Sequence, residues 1–348
     1  MKKSKLGHLI PCVLLSLSSM AVYAGITLDT RTIPVPAGVS EQMANIIEQR
    51  EGGSPLSVPV PQNTEQWLTL QKQFDASGID IAQQALKNWE VTYEAKEFAG
   101  VNTFFVTPKQ VAPEYKDKWL VHIHGGAFVF GGGESALREA MWVSNGLGAN
   151  VISIDYRQPP LHPFPAAIDD AVAVWQELIK TQPAEQTAMF GTSAGGNLTL
   201  ATTLALQKAG IATPGALYVG TPAVDLKHTS DTWYTLKGLD PLGQREGIID
   251  GTFSLYAGGE ALDHPLVSPI YAEIDTFPPT LFFSGTRDLL LSDTVRMHRH
   301  LRAADVTTEL HIYDGQSHGD YITSLVTDLP ESEDALKELA HFFNKHIN

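Results

Sequence analysis

Gly191-Thr192-Ser193-Ala194-Gly195 decides how the rest of this chain reads. The preceding Thr187-Ala188-Met189-Phe190 has the composition of a short buried strand. Asn197 to Lys208 carries Leu198, Ala201, Thr202 and Ala205 at helical spacing, with Gly210 as a stop. A G-x-S-x-G segment between strand and helix holds its serine on a sharp turn, with Oγ standing out above the sheet. Gly191, Ala194, Gly195 and Gly196 supply the small residues such a turn requires. Ser193 is therefore the candidate nucleophile; the pattern alone, without strand and helix around it, arises by chance in ordinary loops.

A serine hydroxyl is a poor nucleophile at neutral pH and needs a base to take its proton and an acid to orient that base. Downstream, Thr280-Leu281-Phe282-Phe283-Ser284-Gly285 reads as a buried strand whose following loop carries Asp288. Glu309-Leu310-His311-Ile312-Tyr313 reads as another, and the loop Asp314-Gly315-Gln316-Ser317-His318-Gly319 follows it. Both loops fall past the carboxyl ends of strands, where open α/β sheets place their sites. The order serine, acid, histidine assigns Asp288 and His318 as partners of Ser193. Asp293 is the rival acid, but it opens an expected helix from Asp293 to Leu301, where an aspartate favours the terminus. The pairs His122-x-His124 and His298-x-His300 each lack a grouped third ligand, so neither metal nor cofactor is expected.

Attack on a carbonyl develops negative charge on its oxygen, which calls for backbone N–H donors already aimed there. His124-Gly125-Gly126-Ala127-Phe128 follows the expected strand Trp119-Leu120-Val121-His122-Ile123 and supplies such a loop. Gly125 and Gly126 are the expected donors, joined by Ala194 after the nucleophile.

With these motifs in place the chain resembles the α/β-hydrolase superfamily, and within it the bacterial hormone-sensitive-lipase-like esterases, from about Val91 to the C-terminus. Asp155-Tyr156-Arg157 followed by Pro163-Phe164-Pro165-Ala166, and His264-Pro265-Leu266-Val267-Ser268-Pro269, are similar to further segments of that family. It departs in having Thr192 where members often carry aspartate, Ala127 where they carry a third glycine, and Leu161 at an often acidic position. Thr192 and Pro159-Pro160 look closer to a subgroup that includes lactone hydrolases. The resemblance implies an α/β-hydrolase fold, with about eight mostly parallel strands, helices on both faces and a helical cap. It also implies a serine carboxylic-ester hydrolase acting on short- to medium-chain acyl esters through an acyl-enzyme. Lactone hydrolases and polysaccharide deacetylases use the same triad, and a noncatalytic small-molecule binder results when a triad member is lost; here Ser193, Asp288 and His318 are all present.

The 348 residues, 43% of them hydrophobic, suffice for one large core without a second independent fold. Residues 1–24 read as a cleavable export signal: Lys2, Lys3 and Lys5 precede an apolar run from Leu9 to Leu17, and Val22-Tyr23-Ala24 fits cleavage before Gly25. Bulky Ile10 and Pro11 fit poorly with lipid attachment at Cys12. Cleavage would remove the only cysteine, so no disulfide is expected in the periplasmic or secreted protein. Loss of three lysines would take the net charge from −15 to −18, which argues against nucleic-acid or anionic-membrane partners. No later stretch is long and apolar enough for a membrane anchor.

Residues 25–90 are expected to form a cap segment of short helices punctuated by Gly53, Pro55, Pro59, Pro61 and Gly78. Met43, Ile46 and Ile47 share one helical face, and Trp67, Leu68, Leu70 and Phe74 another. Residues 91–348 form the catalytic domain: a strand pair turned at Ala99-Gly100, alternating strands and helices, and a last helix from Glu331 to His346. An insertion within 222–262 carries Trp233, Tyr234, Leu236, Leu239, Phe253, Leu255 and Tyr256. It is expected to line a substrate pocket with the N-terminal cap, Phe128 and Phe130 forming the opposite wall and Trp233 contributing from the insertion. No motif sets oligomeric state or acyl preference.

Overall fold

The computed structural model describes residues 32–50, 56–322 and 329–347; the expected export signal at 1–24 lies outside them. The residues from Val35 onward form one compact unit. Its strands in chain order are β1 (Val91–Phe98), β2 (Val101–Pro108), β3 (Trp119–Ile123), β4 (Asn150–Ile154), β5 (Ala188–Thr192), β6 (Ala216–Gly220), β7 (Thr280–Gly285) and β8 (Thr308–Tyr313). They make one eight-stranded sheet in the order β1-β2-β4-β3-β5-β6-β7-β8. The β1-β2 hairpin turns at Ala99 and Gly100, both at positive φ, and β2 also pairs antiparallel with β4; all later pairings are parallel. Edge strand β1 is largely exposed and carries Glu94, Lys96 and Glu97, charges that discourage further strand pairing.

Strands β4 to β7 are buried along their whole length, the mark of strands covered on both faces. The two-residue period divides their side chains between two cores. Val121, Ile152, Met189, Leu217 and Phe282 face one, together with helices α4 (Ala166–Leu178), α5 (Ala194–Lys208) and α8 (Leu291–Ala303). Leu120, Val151, Phe190, Tyr218 and Phe283 face the other, with α3 (Leu137–Leu147) and α9 (Pro330–His346). Each burial of a large apolar side chain contributes about 1.5–3 kcal/mol, so the sheet is held from both sides.

The N-terminal region departs from the expected run of short segments. Helix α1 (Glu41–Glu48) is short, but α2 (Thr64–Asn88) runs straight through Gly78. A β-carbon at Gly78 would come within 2.6 Å of the Ser135 β-carbon. That glycine serves close packing against the Gly133–Ala136 turn, not a break. Met43 and Ile47 of α1 pack with Leu329, and Ser40, which caps α1, donates its N–H and its hydroxyl to the Glu331 carboxylate, each at 2.8 Å. The insertion between β6 and β7 holds α6 (Thr232–Thr235) and α7 (Ile248–Ala257). Buried Arg245 ties it together: its Nε donates to Asp250 at 2.7 Å, its other nitrogens to the Asp225 and Leu226 carbonyls, and its guanidinium lies over Trp233 and Phe253. Among the described residues no helix is long and apolar enough to cross a membrane.

Candidate active site

Between β5 and α5 the chain reverses on one residue, Ser193, which takes φ 64° and ψ −122°. Such a backbone costs a side-chain-bearing residue about 1–3 kcal/mol and persists only where the surroundings impose it. Here the Ser193 N–H donates to the Gly220 carbonyl at 2.8 Å, and its carbonyl accepts from Asn197 N–H at 3.1 Å. A β-carbon at Gly191 or Gly195 would strike the Ile123 carbonyl at the end of β3. The steric reading of those glycines is thus met by a specific neighbour. Behind the serine, Thr192 donates its hydroxyl to Glu139 at 2.6 Å and its N–H to the same carboxylate at 3.2 Å.

Asp288 and His318 lie past the ends of β7 and β8 and meet there, Oδ1 to Nδ1, at 3.1 Å. Fully buried Asp288 accepts from the Ser284 hydroxyl at 2.6 Å through Oδ2 and from Leu290 N–H at 2.9 Å through Oδ1. Thr221, following β6, places its hydroxyl 3.0 Å from the same His318 Nδ1. Burial works against protonating His318. The charge and hydrogen bond of Asp288, with the charges of Asp240 and Asp320, outweigh it and hold the imidazole above its ordinary pKa. The two loops are stitched together: Arg287 N–H donates to the Gln316 carbonyl at 2.9 Å and Gly315 N–H to the Thr286 hydroxyl at 2.8 Å. Arg50, from the segment after α1, donates to the Ser317 hydroxyl at 2.7 Å and pairs with Asp320. The N-terminal segment therefore braces the histidine loop from outside.

The rival acid is engaged elsewhere. Asp293 lies in the first turn of α8, which starts at Leu291, but its carboxylate is buried and accepts from the N–H groups of Val224 (2.9 Å) and Asp225 (3.1 Å) and from the Ser230 hydroxyl. It is a strut between α8 and the insertion more than a helix-terminus charge, and burial raises it to about 7.

The histidine pairs also have other occupations. His122 lies 2.8 Å from Ser153 Oγ and 3.2 Å from Glu139; His300 Nε2 is 2.7 Å from the Ala272 carbonyl, and His298 lies edge-on to Phe282. His124 is pushed down to about 3 by burial, so its neutral ring donates Nδ1–H to the Gly125 carbonyl at 2.7 Å. Its ring stacks on Tyr156 at 4.0 Å, whose hydroxyl donates to the His124 carbonyl. Asp155 accepts from Gly133 N–H at 2.8 Å and Arg157 pairs with buried Asp170, so this segment braces the glycine loop. From α2, Asp75 accepts from Gly131 N–H at 2.7 Å and Gln71 donates to the Val129 carbonyl at 2.5 Å.

Gly126, Ala127 and Phe128 take φ of 104°, 50° and 67° in succession. A β-carbon at Gly126 would collide with the Phe130 carbonyl, and one at Gly125 would lie 2.8 Å from the Thr192 carbonyl. The loop is therefore pressed against the elbow. Gly125, Gly126 and Ala194, the first residue of α5, line one cavity of about 340 Å³ with Ser193 and His318. The first N–H groups of a helix have no intrahelical acceptor, which leaves that of Ala194 available.

Phe74 and Ile81 of α2 line the same cavity, as do Trp233, Leu242, Ile249 and Phe253 of the insertion. Phe130 lines it too but stacks on Phe74 at 4.6 Å, so it shares the wall of α2 and does not oppose it. Phe128 is not in the lining: fully buried, its ring stacks on Tyr256 at 3.9 Å. The left-handed backbone turns it away from the site, where it anchors the strained loop. Sequence reasoning also passed over Glu139, Thr221, Arg50 and Asp240. Glu139 did leave a signal, being a charge inside the apolar run of α3, whose neighbours Ala140, Met141 and Trp142 are buried.

A family profile described as the alpha/beta hydrolase fold matches residues 120–322. The crystal structure of an esterase superposes with a TM-score of 0.89 at 40% identity, covering 93% of this chain and 99% of that one. A hormone-sensitive lipase from a metagenome library superposes with a TM-score of 0.73 at 26% identity, covering 88% of this chain and 96% of that one. An esterase of Acinetobacter venetianus is 30% identical over 224 residues, 64% of this chain and 73% of that protein. The chain belongs to the α/β-hydrolase family. Within it, the protein is a hormone-sensitive-lipase-like carboxylesterase of the serine-hydrolase type.

Proposed function

We propose that Ser193, His318 and Asp288 form a catalytic triad that hydrolyses short- to medium-chain acyl esters. The observation that carries this reading is the pairing of fully buried Asp288 with half-buried His318 at the cavity that a serine on a strained elbow also lines. Ser193 Oγ attacks the ester carbonyl while His318 Nε2 takes its proton, and the oxyanion that forms accepts hydrogen bonds from Gly125, Gly126 and Ala194 N–H. His318 returns the proton to the departing alcohol, leaving the acyl-serine. Water then attacks the acyl carbon, its proton passes to His318 and on to Ser193, and the acid leaves. The cavity of about 340 Å³ lies at the small end of ligand pockets, about 300–1,000 Å³, and suits a short acyl chain among apolar walls. The lysine-led apolar segment at residues 1–24 supports export to the periplasm or medium as part of this reading.

The test is turnover of p-nitrophenyl esters from acetate to palmitate, with fluorophosphonate trapping located by peptide mass spectrometry. A rate maximum at or below octanoate and label on Ser193 are expected; label elsewhere, or a maximum at palmitate, would overturn the assignment. The pocket reading adds a further contrast. Phe128→Ala should cost about 3–5 kcal/mol of stability, read by denaturant melts, without changing the ratio of butyrate to octanoate rates. Phe130→Ala, which opens the cavity wall, should move that ratio toward octanoate.

A further inference from the structure

Asp240 is 2% exposed and lies in the insertion, far in sequence from either catalytic loop. Its Oδ1 accepts from Leu242 N–H at 2.8 Å, closing its own turn. Its Oδ2 accepts from two other backbone groups: Leu289 N–H at 3.0 Å and His318 N–H at 3.1 Å. Leu289 follows Asp288 directly, so one carboxylate oxygen joins the acid-bearing loop to the main chain of the histidine itself. Leu242, two residues on, lines the cavity.

We propose that Asp240 is a positioning residue of the catalytic centre. It sets the spacing between the Asp288 and His318 loops from the cavity wall, and its negative charge joins that of Asp288 in stabilising the imidazolium. The proposal rests on the triad reading above. Burying a carboxylate costs several kcal/mol, which three charge-assisted N–H bonds offset. Asparagine has a single accepting oxygen: placed at the Oδ2 position it keeps the Leu289 and His318 N–H bonds, gives up the one from Leu242, and carries no charge, so the charge is the part that only aspartate or glutamate supplies. Its surroundings are acidic. The titratable and charged groups around His318 are Asp288 beside its ring, Asp240 from the insertion and Asp320 in its own loop; Arg50 pairs with Asp320, and Arg138 and Glu139 of α3 stand on the cavity wall. Burial and then the charge of Asp288 push Asp240 up to about 6, while His318 draws it down. It is therefore ionised above that pH, where His318 must be neutral to act as base. Removing its charge lowers the pKa of His318, so the acidic limb of activity moves to lower pH.

The experiment compares wild type with Asp240→Asn and Asp240→Glu, using p-nitrophenyl butyrate turnover across pH and the NMR titration of the His318 imidazole, assigned with His318→Gln. For Asp240→Asn, kcat should fall roughly 10- to 100-fold with KM little changed. Both the acidic limb and the NMR midpoint should move to lower pH. Asp240→Glu keeps the charge but displaces it; its midpoint should stay near wild type while kcat remains reduced. An unmoved midpoint in folded Asp240→Asn would overturn the electrostatic role, and unchanged kcat in both variants would overturn the positioning role. If Asp240→Asn does not fold, Asp240→Glu decides: a wild-type kcat there sinks the proposal. Because the NMR midpoint needs no turnover, an inactive wild type would count against the triad reading and still leave the effect of Asp240 on His318 measured.

Discussion

Ser193→Ala should lower kcat on p-nitrophenyl butyrate by about 10⁶-fold while leaving the melting curve within about 0.5 kcal/mol of wild type. The fold is expected to persist because the serine hydroxyl has no hydrogen-bond partner among the described residues, so its removal strands no buried donor or acceptor. Alanine also meets the same φ of 64° under the same constraints from Gly220 and Asn197, so the strain of the elbow is unchanged. Rate over uncatalysed hydrolysis should not vanish altogether. The donors at Gly125, Gly126 and Ala194, together with substrate binding, retain about 10³–10⁴-fold in enzymes of this logic. Members of a triad act as a unit, so adding His318→Ala to Ser193→Ala should cost almost nothing more. A double variant markedly slower than the single would mean that His318 acts independently of Ser193. That outcome would break the triad assignment.

The contrast between what the sequence showed and what it hid has a physical basis. The elbow, the two loops after β7 and β8 and the strand pair at Ala99-Gly100 are local patterns. A strand period, a turn residue and a following polar loop are all written within a dozen or so residues. Ser193, Asp288 and His318 were therefore legible, as were the continuous apolar runs of β3 to β7. Asp240, Thr221 and Arg50 were not, because each reaches the site from an element whose place is decided only by packing. Phe128 misled for a different reason. Adjacency to the N–H donors suggested a wall, yet three successive positive φ values turn its side chain toward Tyr256. Gly78 misled likewise, since glycine reads as a break while in α2 it only makes room for Ser135. Asp293 was half legible. The sequence was read only for a charge at the helix terminus, yet Asp293 shares a helix face with Met297 and Leu301, both buried, a spacing that points its carboxylate inward.

Asp288→Ala should cost about 10⁴-fold in kcat, a loss of the size found for the acid of such triads, whereas Asp288→Asn should cost distinctly less, about 10²–10³-fold. The difference follows from which partners can reverse their roles. Oδ1 of Asp288 faces two donors, Leu290 N–H at 2.9 Å and His318 Nδ1–H at 3.1 Å, so an amide group there would meet a backbone donor that cannot change. Among the described residues Oδ2 faces only the Ser284 hydroxyl at 2.6 Å, which can rotate to accept. The asparagine therefore turns its NH₂ toward Ser284 and keeps its carbonyl on His318, preserving the ring's tautomer and orientation and losing the charge alone. Thr221, 3.0 Å from Nδ1, supplies a second acceptor for the same proton in either variant. The Asp288 charge raises the pKa of His318, so both variants should move the acidic limb of kcat/KM to lower pH. Steady-state kinetics across pH separate the two contributions: the limb reports the charge, and the gap between alanine and asparagine reports the orientation. If asparagine proved as damaging as alanine, Ser284 would not be reversing its hydrogen bond, and the Thr221 acceptor would not suffice to hold the ring in place of the carboxylate.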